Sequence, residues 1–208
     1  MGERIGIYGG TFDPPHHGHL VAATEVWAVL GLDRLLFMPA GRPPHKGDVA
    51  VSAAHHRVRM VELAIAGRPH FALSDLDLDP ARPSYTADLL ARLRTAWGDD
   101  PDLFFVMGED SLRDFPRWRD PARIAALAHL AVVTRPNVAV DLDAVVAAVP
   151  GLAGRVHCVA IPELDIASRD LRDRVAQGRP IAYQVPPAVE DYIRERGLYR
   201  PQEQGDAR

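Results

Sequence analysis

Three imidazoles, a carboxylate and several glycines share one short run, Gly9-Gly10-Thr11-Phe12-Asp13-Pro14-Pro15-His16-His17-Gly18-His19. Glycine lets a backbone approach a ligand closely. A helix start offers unpaired amide donors, and imidazoles donate hydrogen bonds to phosphate oxygens. All three devices address one anion. The spacing is neither Gly-x-Gly-x-x-Gly nor Gly-x4-Gly-Lys-Ser/Thr, which argues against hydride-transfer dinucleotide binding and P-loop hydrolysis. Two plainer uses compete: a turn whose histidines cap a helix, or a surface metal site of His16, His17 and His19. A zinc site wants a fixed ligand set with supporting carboxylates, and no second cluster of suitable spacing stands out.

The surrounding pattern says what must hold these residues. A short apolar run at residues 4–8 precedes the glycines, and apolar residues at Leu20, Ala23, Trp27 and Leu30 follow at helical spacing. That reads as strand, loop, helix. Further strands are expected at residues 35–38, 71–74, 103–107, 129–134 and 156–161. Helices are expected at 52–66, 84–97 and 185–196, with Gly67 and Gly98 as C-caps. The alternation predicts an α/β, Rossmann-like, doubly wound and mainly parallel sheet with helices on both faces. Ligands of such sheets bind beyond the carboxyl ends of the strands, so the glycine-histidine run is placed where a site belongs.

Bulk properties narrow the function classes. The 208 residues suit a single domain over residues 1–200, with a polar tail at 201–208 expected to be disordered. A formal net charge of -4 gives no support for an extended nucleic-acid surface, so any anion must be met locally. Cys158 is the only cysteine, which excludes an internal disulfide framework and fits a reducing cytosol. No apolar run approaches the ~18 residues of a membrane span. The sequence leaves homo-oligomer formation open.

The run Gly10-x-Phe12-x-Pro14-x-His16-x-Gly18-His19 resembles the signature of the nucleotidyltransferase superfamily, with His16 and Gly18-His19 matching its His-x-Gly-His element. Further segments are similar to the nicotinate mononucleotide adenylyltransferases of bacteria. Pro43-Pro44-His45-Lys46 resembles a loop whose basic pair faces the nucleotide phosphates, and Arg57 and Met60 fit an Arg-x-x-Met on the next helix. Pro83-Ser84-Tyr85-Thr86 resembles the segment that receives a pyridine carboxylate, although capping a helix would explain Ser84 equally well. Gly108-Glu109-Asp110-Ser111-Leu112 with Phe115 and Trp118 resembles a Gly-x-Asp-x-Leu-x-x-Phe-x-x-Trp run, which implies Asp110 on a ribose and Trp118 stacked on the pyridine. Phe115 is expected in the core. Ile166-Ala167-Ser168-Arg169-Asp170-Leu171-Arg172 resembles the second signature, Ile-Ser-Ser/Ala-Thr-x-x-Arg, but Ala167 and Arg169 stand where hydroxyls are usual.

The resemblance implies transfer of the AMP part of ATP, with its magnesium, to nicotinate mononucleotide, releasing pyrophosphate. A phosphate monoester has a second pKa of about 6, so the nucleophile is already anionic near neutrality. Charge compensation and alignment are then what the protein must supply. His16, His19, Lys46 and Arg172 are the catalytic candidates. Gly9, Gly10, Thr11, Phe12, Gly18, His45 and Ser168 are assigned to ATP, and Asp13, Ser84, Tyr85, Thr86, Gly108, Asp110 and Trp118 to the mononucleotide. No side-chain cage for a resident metal is expected, with Asp13 facing either the metal's water shell or the loop backbone. The same chemistry on nicotinamide mononucleotide or another phosphate monoester, and a nucleotide-binding regulator without turnover, are the rival readings.

Overall fold

A computed structural model of the chain describes residues 2–42, 51–134 and 140–201. Six strands form one all-parallel sheet: β1 (Arg4–Gly10), β2 (Arg34–Pro39), β3 (Phe71–Leu73), β4 (Asp102–Gly108), β5 (His129–Thr134) and β6 (Val156–Ala160). Their order is β3-β2-β1-β4-β5-β6. The chain winds outward from β1 to one edge, then returns to β4 and winds to the other. The crevice at that reversal, between the carboxyl ends of β1 and β4, is where such sheets bind ligands.

The central strands are apolar on both faces because helices cover both. Successive residues point to opposite faces, so Ile5, Ile7, Leu36, Met38, Phe105 and Met107 enter one buried cluster, while Leu35, Phe37, Phe104 and Val106 enter another. The first cluster is completed by Leu90 and Leu93 of α3 (Thr86–Trp97) and Ile124 of α5 (Pro121–Leu127). The second is completed by Ala23 and Val26 of α1 (His17–Val29) and Val61 of α2 (Ala54–Ile65).

A third cluster packs Met60 of α2 against Leu171 of α7 (Ser168–Ala176) and Val189 and Ile193 of α8 (Pro187–Arg196). Pro187 opens α8, where its missing N–H costs nothing. Gly197 ends it in the left-handed conformation at φ 62, donating to the carbonyls of Arg194 and Ile193. That reversal turns Leu198 and Tyr199 back toward the third cluster. No helix among the described residues is long and apolar enough to cross a membrane.

Three short helices lie beyond the sequence expectations: α4 (Glu109–Asp114), α5 and α6 (Leu142–Ala148). Each is two turns or less, too short for a helical period to emerge from the sequence. Gly98 is the C-cap of α3 at φ 73 as expected, and Gly67 follows the Ala66 cap of α2 at φ 76. The expected tail at 201–208 falls, from residue 202 onward, outside the described residues.

Candidate active site

Residues 11–16 bridge the end of β1 and the start of α1. Phe12 adopts φ 51, and its ring is 2% exposed, packed against Tyr8, Phe37 and His19. Only its backbone is left for a ligand. A Cβ on Gly10 would lie 2.8 Å from the Phe12 ring, and one on Gly18 would lie 3.0 Å from Nδ1 of His16. Glycine is needed at both places because aromatic rings fill the room a side chain would take.

His16 is the N-cap of α1 and is 7% exposed, its ring 3.7 Å from that of His19. The His16 amide donates to Nδ1 of His19 at 3.2 Å. An amide can only donate, so Nδ1 accepts and the proton of the neutral ring sits on Nε2. His19 thus presents a donor at the loop's inner side, lining a cavity of about 220 Å³ with Gly9, Gly10, Gly108 and Trp118.

An adjoining cavity of about 660 Å³ shares Gly9, Gly10, Phe105, Ser111 and Trp118 with the first and is lined as well by Thr11, Asp77, Ser84, Tyr85 and Thr86. Trp118 stands at the rim of the core, edge-on to Phe105 and Phe115, whereas Phe115 is fully buried as expected. Ser84 is not a helix cap. The N-cap of α3 is Tyr85, and the Ser84 hydroxyl instead accepts from the Arg42 amide at 3.3 Å and donates to the Asp77 carbonyl at 3.4 Å. The α3 amide end and Thr86 therefore face the cavity on a braced loop. Asp77 lines the same cavity, and its carboxylate is bound to Arg92 at 2.7 Å. Burial raises its pKa, opposed by its bonds from Ser84 and Arg92.

The remaining candidates gather behind the loop. Ser168, at the start of α7, donates to the Pro14 carbonyl at 2.8 Å, and Arg172 donates to the Asp13 carbonyl at 2.7 Å. Ala167 is the N-cap of α7 and makes no side-chain cap bond; Arg169 is exposed. The Asp13 carboxylate is not offered to either cavity: Oδ1 accepts from the Tyr199 hydroxyl at 2.7 Å and Oδ2 from the Ser52 amide at 3.0 Å. Asp13 is therefore neither the mononucleotide contact that the resemblance implies nor turned to the phosphate loop's own backbone: a tyrosine hydroxyl from beyond α8 and the amide just ahead of α2 hold it. The Asp110 side chain is 89% exposed beside Arg113, outside both cavity walls. Pro43-Pro44-His45-Lys46 lies outside the described residues.

A cytidylyltransferase-like family model matches residues 7–174. The probable nicotinate-nucleotide adenylyltransferase of Thermomicrobium roseum is 50% identical, covering 95% of this chain and 92% of its own. That of a Roseiflexus species is 47% identical over 94% and 98%. The chain belongs to the nicotinate-nucleotide adenylyltransferase family. Among solved structures, Plasmodium falciparum nicotinic acid mononucleotide adenylyltransferase complexed with NaAD aligns at a TM-score of 0.79 with 20% identity, over 95% of this chain and 97% of that one. At that identity the likeness is one of fold.

Within this adenylyltransferase frame two buttresses escaped the sequence reading or were left open by it. Arg57 of α2 is 1% exposed and donates to the Thr11 carbonyl at 3.0 Å and the Ser52 carbonyl at 2.9 Å. Burial lowers its pKa, and neighbouring Asp13 works the other way. Arg57 is thus the part that orients the loop. Arg57→Ala is expected to cost about 3 kcal/mol, since it leaves a hole and two carbonyls without their donor. For a chain of this size that is a fall in Tm of roughly 6–12 °C, read by thermal melting. Tyr199 is the second. An aromatic just past a helix-ending glycine was its one local sign, and nothing nearby in the sequence names its partner.

Proposed function

We propose that this chain transfers the AMP group of ATP, taken as its magnesium complex, to nicotinate mononucleotide, forming nicotinate adenine dinucleotide and pyrophosphate. One observation carries the reading: Gly9 and Gly10 at the end of β1 and Thr11 of the phosphate loop line the same cavity as Ser84, Tyr85, Thr86 and Trp118. A flat heterocycle with a negative group is what that far end suits. The start of α3 favours an anion, Trp118 offers an aromatic surface, and the Arg119 guanidinium, 4.5 Å from the centre of the Tyr85 ring, adds positive charge. An acid is therefore favoured over an amide.

The step balances simply. An oxygen of the mononucleotide phosphate attacks the α-phosphorus of ATP, a new P–O–P bond forms, and the α-to-β bridging bond breaks with its electron pair leaving on pyrophosphate. The His19 Nε2 proton meets charge as it develops, while the loop amides and the α1 N-terminus receive phosphate oxygens. Ser168 and Arg172, already bonded to the loop, add a hydroxyl and a cation beside it. Among the described residues no group of three or more His, Cys, Asp or Glu could hold a metal ion. Magnesium in this reading arrives on the phosphates of ATP. Residues 1–200 act in this reaction as one transferase domain.

The test is pyrophosphate release from ATP and magnesium with nicotinate mononucleotide and nicotinamide mononucleotide supplied in parallel. Faster release with the acid is expected, accompanied by the adenine dinucleotide. Preference for the amide would overturn the α3 assignment while leaving the reaction class; silence with both would overturn the function.

A further inference from the structure

We infer that Tyr199 is a positioning residue of the adenylyl-transfer site, holding the Asp13 carboxylate and through it the loop at residues 11–16. The inference rests on the proposed transfer reaction. Tyr199 stands 186 positions after Asp13, yet its hydroxyl donates to Asp13 Oδ1 at 2.7 Å. The other oxygen takes the Ser52 amide, the Asp13 carbonyl takes Arg172, and the Thr11 carbonyl takes Arg57. Between Gly10 and His17 the loop has no helix or strand bonds of its own, so its shape rests on these four contacts together with the Ser168 bond to the Pro14 carbonyl. Asp13 is 1% exposed, which makes each of its donors hard for water to replace.

The conformation of Tyr199 supports the same conclusion. Its backbone sits at φ 64, a left-handed geometry unfavourable for a bulky side chain and kept only where the surroundings impose it. Burial, followed by the Asp13 charge, pushes the phenol pKa far up, so Tyr199 stays a protonated donor at any working pH. A tyrosine that merely anchored α8 would need the ring and no partner in the phosphate loop. Tyr192 of α8 is such a neighbour, its hydroxyl meeting His56 at 2.9 Å.

Tyr199→Phe keeps the ring and removes the link. Its kcat for pyrophosphate release is expected to fall roughly tenfold or more, because small displacements of reacting groups are costly, with KM for the mononucleotide nearly unchanged. Tyr192→Phe is expected to keep wild-type kcat. Asp13→Asn tests the link from the other end and is expected to show the same split, with the double variant no worse than the poorer single one. Wild-type kcat in folded Tyr199→Phe overturns the inference, as does additivity in the double variant. Should Tyr199→Phe not fold, wild-type kcat in Asp13→Asn overturns it. Should the wild-type chain release no pyrophosphate, the reaction reading fails instead, and amide exchange decides: exchange at Thr11, Phe12, Asp13 and His16 about tenfold faster in Tyr199→Phe supports the link, and unchanged exchange sinks it.

Discussion

Replacing His19 by Ala is expected to leave the fold intact while lowering kcat for pyrophosphate release roughly 100- to 1,000-fold, the usual effect of deleting one positioned donor. The tautomer of the His19 ring makes this effect specific. The His16 amide occupies Nδ1, so the proton on Nε2 is the one the ring can offer, and the ring lines the cavity beside Gly9 and Gly108. The structural cost is small by comparison. Losing the acceptor for the His16 amide at the start of α1 costs about 1 kcal/mol, a shift in Tm of roughly 2–4 °C. Kinetics and melting curves measured on one preparation separate the two effects. A folded variant with wild-type kcat would remove His19 from the mechanism.

Arg172→Ala should lower kcat/KM for ATP roughly 100-fold, for two reasons that add at one place. It deletes a cation beside the phosphate loop, and it releases the Asp13 carbonyl from its 2.7 Å bond. Arg172→Lys is expected to recover only part of the loss. Its ammonium is a compact point charge and cannot spread donors in a planar fork, so it can satisfy the carbonyl or a phosphate but not hold both in one plane. Full activity in the lysine variant would show that charge alone suffices. The dependence on ATP concentration is the decisive readout, because a purely stabilising role would lower the folded fraction without altering KM.

The unit made of β1, the loop and α1 was legible because its residues are contiguous: an apolar run, then glycines, then histidines, then a helical period. The central strands were legible for a related reason. Burial on both faces demands unbroken apolar runs, and residues 103–107 and 129–134 show them. Helices α4, α5 and α6 were not, since two turns are too few for a period. Ser84 shows a subtler limit. Its type suits an N-cap, but the helix starts two residues later and its hydroxyl bonds Arg42 and Asp77 from a neighbouring loop. Local propensity cannot anticipate a partner that folding brings from elsewhere.

The sequence by itself determined the parallel α/β class, through the alternation of apolar runs and helical periods along the chain, and the phosphate-directed loop, through residue types within a few positions of one another. Which side chains face a ligand and which brace the loop was decided by tertiary structure. Ser168 and Arg172 reach the loop across 154 and 159 positions, and Tyr199 across 186. Asp13 reads in the sequence as a ligand contact and is found as the buried centre of that bracing. The reason is the same for all four: the loop has no hydrogen-bonded structure of its own, so its shape comes from the elements that fold against it.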